Sequence, residues 1–313
     1  MQLLPVLKGL ATRIPFLYRA DRGATGGTVS ARYCYSIWMR HLVLLSEAGL
    51  PTTPDVVAEL GPGDSLGIGL ASMLCGAQKL LALDVVRYAN KRRNHEILDE
   101  LVGLFTSRAA IPDDREFPDV FPRLANYAFP SAILGDKRLV NSLTASRVDA
   151  LHRALDGAGA EDAIQVRYVV PWDQANAGDQ RSADLIFSQA VLEHVEHLGS
   201  TYPALARLLA PGGVMSHVID FRSHKITRDW DGHLQYSDWW WDLVKGKRPY
   251  LLNRKPLSMH CALLEQNGFQ IEQLVRDVRA PTASVPRSAA HLAGWTPKDR
   301  ETASAVVISR LRA

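Results

Sequence analysis

Cysteine is scarce: three residues in 313, at Cys34, Cys75 and Cys261, with no CxxC pair among them. That excludes a disulfide framework and a cysteine zinc site, and it suits a reducing, cytoplasmic setting. Long apolar runs are missing as well. No stretch reaches the roughly 18 apolar residues of a spanning helix, so no membrane span is expected. The opening MQLLPVLKGLATRIPFLYR is interrupted by Pro5, Lys8, Arg13 and Pro15, and it lacks the clean apolar core and cleavage site of a signal peptide. It is expected to pack on its own domain. Excess charge is small: 36 Lys+Arg against 33 Asp+Glu give a net charge of +3, without a long basic block. Nucleic acid is therefore not an implied partner. No internal repeat is visible, and the oligomeric state is not legible.

What is present is an ordinary globular balance, 47% hydrophobic and 22% charged, with enough chain for one enlarged domain or two small ones. The most informative stretch is Val56–Asp84, VVAELGPGDSLGIGLASMLCGAQKLLALD. It reads as a strand (Val56–Leu60, carrying Glu59), a glycine turn, a helix (Gly67–Cys75) and a second strand (Lys79–Leu83) ending on Asp84. Gly61 and Gly63 allow a tight turn and a close ligand approach. The helix that follows is expected to offer free N–H groups to a ligand carboxylate or phosphate. An acid at the second strand's tip can accept hydrogen bonds from ribose hydroxyls. Ser65 stands where a dinucleotide-binding GxGxxG would often place its third glycine.

Before this unit, residues 1–55 read as an N-terminal helical cap. Gly23–Gly27 is a turn and Ser30–Ala48 a helix, bounded by Ser30 and Gly49. After it, the next strand is Ala163–Val170. The crossover of about 80 residues far exceeds the 10–12 that a βαβ connection needs. Residues at about 86–160 therefore read as an insertion with helices at Asn90–Phe105 and Ser146–Leu155. Its Pro- and Phe-rich middle, Ile111–Asn141, is expected to lie over the C-terminal edge of the sheet.

Further along, ADLIFS is a fourth strand, QAVLEHVEH reads as the start of a helix, and Ala210-Pro211-Gly212-Gly213 leads into a fifth strand, Val214–Ile219. The sequence E-L-G-P-G-D-S, the match DLIFSQAVLEHV and the P-G-G turn, in this order, resemble class I S-adenosylmethionine (SAM) methyltransferases. The resemblance implies an α/β, doubly wound, mostly parallel seven-stranded sheet over residues 56–313, with one antiparallel strand near an edge. It implies S-adenosyl-L-methionine as cofactor, with Glu59, Gly61, Pro62, Gly63, Ser65, Asp84, Trp172, Asp173, Ser188 and Gln189 at its site. By position at the strand ends, the catalytic candidates are His224, Asp220, His233 and His194. His224 is the first choice as general base, with Asp220 orienting it. No tight metal-ligand spacing occurs in Asp220–Trp241, so no metal is expected. Trp230 and Trp239–Trp241 are read as a loop anchor or an aromatic cage.

The reading is a soluble enzyme that methylates a small molecule. One alternative is a different use of SAM, either aminocarboxypropyl transfer or cyclisation releasing methylthioadenosine. Another is a non-catalytic SAM-binding subunit.

Overall fold

The computed structural model describes residues 2–13, 27–157, 163–172, 180–248, 250–285 and 289–312. Its centre is a sheet of seven strands: β1 (Val56–Leu60), β2 (Lys79–Leu83), β3 (Gln165–Val169), β4 (Ala183–Gln189), β5 (Leu209–Asp220), β6 (Phe269–Val278) and β7 (Thr302–Leu311). They lie in the order β3-β2-β1-β4-β5-β7-β6. β7 runs antiparallel to both β5 and β6, and the other pairings are parallel. This is the expected doubly wound, methyltransferase-like sheet. The chain steps outward from β1 to β3, then returns to the other side of β1 with β4. That reversal leaves a crevice beyond the carboxyl ends of β1 and β4, where open α/β sheets bind ligands.

The strands read as continuous apolar runs because both sheet faces are covered. Side chains alternate between faces. In β2, Leu80 and Ala82 enter one core while Leu81 and Leu83 enter the other. The first core packs under α2 (Ala31–Glu47), α3 (Gly67–Leu74), α4 (Lys91–Thr106), α5 (Asp136–Ser142) and α6 (Ala145–Leu155). The second lies under α7 (Leu198–Leu208) and α9 (Leu257–Gln266). A satellite cluster joins α1 (Leu4–Ala11) to α8 (Asp238–Lys245) through Val6, Trp241 and Val244. The short α10 (Pro297–Glu301) leads into β7.

Helix α2 packs as a layer on the sheet. Ser30 caps it by accepting the Tyr33 N–H, its Trp38 packs on Phe187 of β4, and His41 Nδ1 meets Ser216 Oγ of β5 at 2.8 Å. The insertion is bound to α2 by the fully buried Arg40, which donates to the carbonyls of Pro112 and Pro122 and pairs with Asp114. Its tip reaches the strand ends, where the Phe121 carbonyl accepts from Gln189 and the Asp119 carbonyl from Arg222. The stretch after β4 does not continue as a helix. Ala190 has φ +54°, and Asn253 takes the carbonyls of Leu192, Glu193 and Val195. Only a 3-10 turn, Leu192–His194, remains. The tryptophans form no cage: Trp239, Trp240 and Trp241 sit on α8, and the indole N–H groups of Trp241 and Trp230 donate to the carbonyls of Leu252 and Ala280.

Helix α3 comes very close to the sheet. A Cβ on Gly69 would meet Leu80 Cδ1 at 2.5 Å. The Gly69 N–H donates to Glu59 Oε2 at 3.0 Å, so a buried carboxyl of β1 ties the helix down. Burial pushes this carboxyl up to about 8, although the Gly69 N–H works against the rise. Its unfolded value is about 4.3. The proton favours the folded state, so stability falls as pH rises from the unfolded value through the folded one. Glu59→Gln keeps an oxygen for Gly69 without the charge. Its unfolding free energy relative to wild type is expected to be higher at pH 8 than at pH 5, by on the order of a few kcal/mol in favour of the variant. Thermal unfolding at both pH values checks this; an equal difference at the two would contradict it.

Candidate functional site

A cavity of about 700 Å³ opens beyond β1, β2 and β4, lined by Gly61, Gly63, Asp84, Trp172, Gln189 and His194 among others. Pro62 belongs to the same wall. Gly61 and Gly63 have φ of +69° and +71°, the left-handed region that suits glycine. A Cβ on Gly61 would lie 2.6 Å from Val191 Cγ2. The bare turn thus lets the segment after β4 close against it.

Asp84 stands at the tip of β2. Its Oδ1 accepts the Val85 N–H at 2.8 Å. Burial raises its carboxyl, and the N–H groups of Val85, Val86 and Gly63 oppose that rise. Trp172 is tied to it by a 2.6 Å bond from the Trp172 N–H to the Asp84 carbonyl. The Trp172 indole N–H is buried without a protein acceptor, which leaves a donor for a ligand. Tyr33 of α2 also reaches the cavity, whereas Tyr35 donates to the Ala109 carbonyl and Arg32 pairs with Glu116 at the surface.

The start of α3 is not a free anion site. The Leu66 N–H donates to Asn94 Oδ1 at 3.0 Å, the Gly67 N–H to Ser65 Oγ at 3.1 Å, and the Gly69 N–H to Glu59. The expectation of free donors there is met only in part: the protein's own side chains take the N–H groups of Leu66, Gly67 and Gly69, whereas that of Ile68, a residue lining the cavity, has no partner among the described residues. Glu59 and Ser65 consequently shape the turn rather than line the cavity. Ser188 is also turned inward, its Oγ 2.8 Å from His217 Nδ1. Asp173 and residues 23–26 of the Gly23–Gly27 turn lie outside the described residues.

At the other end, His194 lines the cavity, with Nδ1 buried and unpartnered. Burial, and then His224, push its imidazole down to about 4. His224 stacks edge-on behind it, ring centroids 5.0 Å apart. Its Nε2 lies 3.3 Å from Asp220 Oδ2 and 3.8 Å from Glu193 Oε1. Burial disfavours the charged form of Asp220, but His224 and Arg222 outweigh it and hold the carboxyl well below the usual range. Arg222 donates to Asp220 at 2.7 and 2.8 Å.

The four catalytic candidates are therefore not equivalent. Of them, only His194 lines this cavity. His233 and Asp220 border a separate small void of about 20 Å³. His233 is buried beside Trp241, and burial followed by Arg254 pushes it down to about 3. Glu193 was not singled out from the sequence. It is 3% exposed, and neither carboxyl oxygen has a protein partner. Burial and then the charge of Asp220 raise it well above the usual range. Its place beside His194 in LEHV was the available signal.

No protein-family model matches the sequence, and no curated protein is similar to it. Solved structures are similar in shape. A Haemonchus contortus phosphoethanolamine N-methyltransferase 2 with S-adenosyl-L-methionine is 15% identical, with a TM-score of 0.45, covering 95% of this chain and 59% of that one. The same enzyme with phosphomonomethylethanolamine and S-adenosylhomocysteine gives 14% identity, TM-score 0.44 and coverages of 90% and 57%. The chain thus spans less than three fifths of the length of those two. A Mesorhizobium loti SAM-dependent methyltransferase gives 16% identity, TM-score 0.42 and coverages of 88% and 97%. The fold assignment stands on the strand order itself.

Asp84→Ala removes the carboxylate at the tip of β2. It is expected to weaken binding of the adenosyl cofactor by about 1–3 kcal/mol, the range for a hydrogen bond to a charged group. Calorimetric titration with SAM checks this, and an unchanged affinity would take Asp84 off the ribose.

Proposed function

We propose that the chain is a SAM-dependent enzyme that transfers a methyl group to a small-molecule acceptor. One observation carries the reading: the cavity joins a bare glycine turn and a strand-tip carboxylate to a helix start at which the N–H groups of Leu66, Gly67 and Gly69 are taken by side chains. A ribose has its acceptor in Asp84. A pyrophosphate, which draws on several free donors at a helix N-terminus, finds most of them occupied. This favours a phosphate-free adenosyl cofactor over NAD.

In this reading the main chain at Gly61–Gly63 admits the cofactor closely, Asp84 accepts from the ribose hydroxyls, and Trp172 offers an apolar wall and an N–H. When bound, the cofactor supplies a methyl carbon activated by positively charged sulfur. Gln189 and His194, at and just after the end of β4, face the acceptor side. Of the two histidines it is His194 that reaches the acceptor side of the cavity, whereas His224, the base expected from the sequence, stands behind it. The residues hold the acceptor in line and exclude water, and alignment supplies much of the rate. The volume falls in the roughly 300–1,000 Å³ range of small-molecule pockets. Among the described residues no helix is long and apolar enough to cross a membrane, which agrees with action on a small molecule in the cytoplasm.

The same pocket could direct attack at another carbon on sulfur, since fold does not decide the chemistry. Mass spectrometry of the full chain incubated with SAM alone separates these uses. Intact, bound SAM is the expected result. Accumulating methylthioadenosine would replace methyl transfer by cyclisation or cleavage, and failure to bind SAM would overturn the proposal as a whole.

A further inference from the structure

We propose that Glu193, His194 and His224 form a binding site for one divalent first-row transition metal ion, of the Zn²⁺ or Co²⁺ type, at the acceptor end of the cavity. One donor atom from each lies within 4.8 Å of the other two. Nitrogen and oxygen ligands sit about 2.0–2.2 Å from Zn²⁺, so they end no more than ~4.4 Å apart. Small side-chain rotations complete the set.

Independent features point to an occupant. Both Glu193 oxygens and His194 Nδ1 are buried without a hydrogen-bond partner among the described residues. A buried polar group left unpaired is costly, and an ion would satisfy all three. The backbone around them is held in an unfavourable region: Ala190, His224 and Lys225 have φ of +54°, +49° and +62°. Non-glycine residues rarely adopt such angles, and those that do gather at functional sites. Asp220, itself clamped by Arg222, lies 3.3 Å from His224 Nε2 and keeps that ring beside Glu193 and His194.

The donor set selects the ion. Two imidazoles and one carboxylate, with no thiolate, match open zinc and 2-His-1-carboxylate centres rather than a closed structural site. Glu193 borders the small void and His194 the large cavity. Through His194 the ion would border the space assigned to the acceptor, where an acceptor oxygen would bind an unfilled position and ionise more easily. That role rests on the transferase reading; the binding of the ion does not.

A second histidine pair provides the control. His95 and His152 stack in parallel on α4 and α6, ring centroids 5.0 Å apart, and their Nε2 atoms already meet Asp156 and Asp99.

The full chain, stripped with a chelator and dialysed, is titrated with Zn²⁺ alone and with Co²⁺ alone. One ion per chain at micromolar affinity or tighter is expected. Glu193→Gln and His224→Ala should each weaken it at least tenfold, while His95→Ala leaves it unchanged. Circular dichroism before metal addition confirms that the variants are folded. A visible Co²⁺ ligand-field band is expected in the wild-type chain, and this reading needs no variant. Absence of Zn²⁺ binding and of that band would overturn the site, as would loss of binding in His95→Ala alone. SAM binding measured on the same metal-free chain tells failure of the ion site apart from failure of the transferase reading.

Discussion

The tie between Glu59 and Gly69 sets the shape of the nucleotide end of the molecule. It holds α3 against β1 and β2 so closely that only a hydrogen fits at Gly69 beside Leu80. With α3 fixed there, the turn at Gly61–Gly63 must run in the left-handed region, and the segment carrying Val191 packs directly on it. The same tie spends a helix donor that other nucleotide sites leave free. A carboxyl buried for packing thereby takes one of the donors that a phosphate on α3 would use.

The cavity has two ends of different character. Around Asp84 and Trp172 the polar groups are backbone-braced and few. Around His194 there is a dense set of titratable groups: Glu193, His224, Asp220 and Arg222 lie in one connected cluster. Asp220 is stabilised as an anion by hydrogen bonds from Arg222 and His224, whereas Glu193 has only the longer 3.8 Å approach of His224 and no side-chain hydrogen bond among the described residues. That imbalance between two neighbouring carboxyls distinguishes this end from an ordinary structural ion-pair network.

Much of this was legible from residue order. The strands follow from apolar runs bounded by glycine and acid, and β1, β2 and β4 lie close to where those runs place them, whereas β5 begins five residues before Val214 and takes in the Pro211-Gly212-Gly213 turn. Asp84, Gly61, Gly63, Gln189 and His194 are fixed by sheet geometry, so the end of a strand was enough to place them at the cavity. What was not legible depends on distant partners. Glu59 and Ser65 share the motif with Gly61, yet their roles are set by Gly69, Gly67 and Thr28. QAVLEHVEH has helical composition but loses its carbonyls to Asn253, some 60 residues on. His233 and His224 sit in one polar loop, and only the packing of α8 and the left-handed turn at His224 separate a buried histidine from one that backs the cavity.

The central claim is that a self-capped helix beside a strand-tip carboxylate makes a site for a phosphate-free adenosyl ligand. The most direct test is calorimetric titration of the full chain with S-adenosylhomocysteine and, separately, with NAD⁺. The account predicts one S-adenosylhomocysteine bound per chain and no measurable binding of NAD⁺. Binding of NAD⁺ as tight as that of S-adenosylhomocysteine, or tighter, would contradict it.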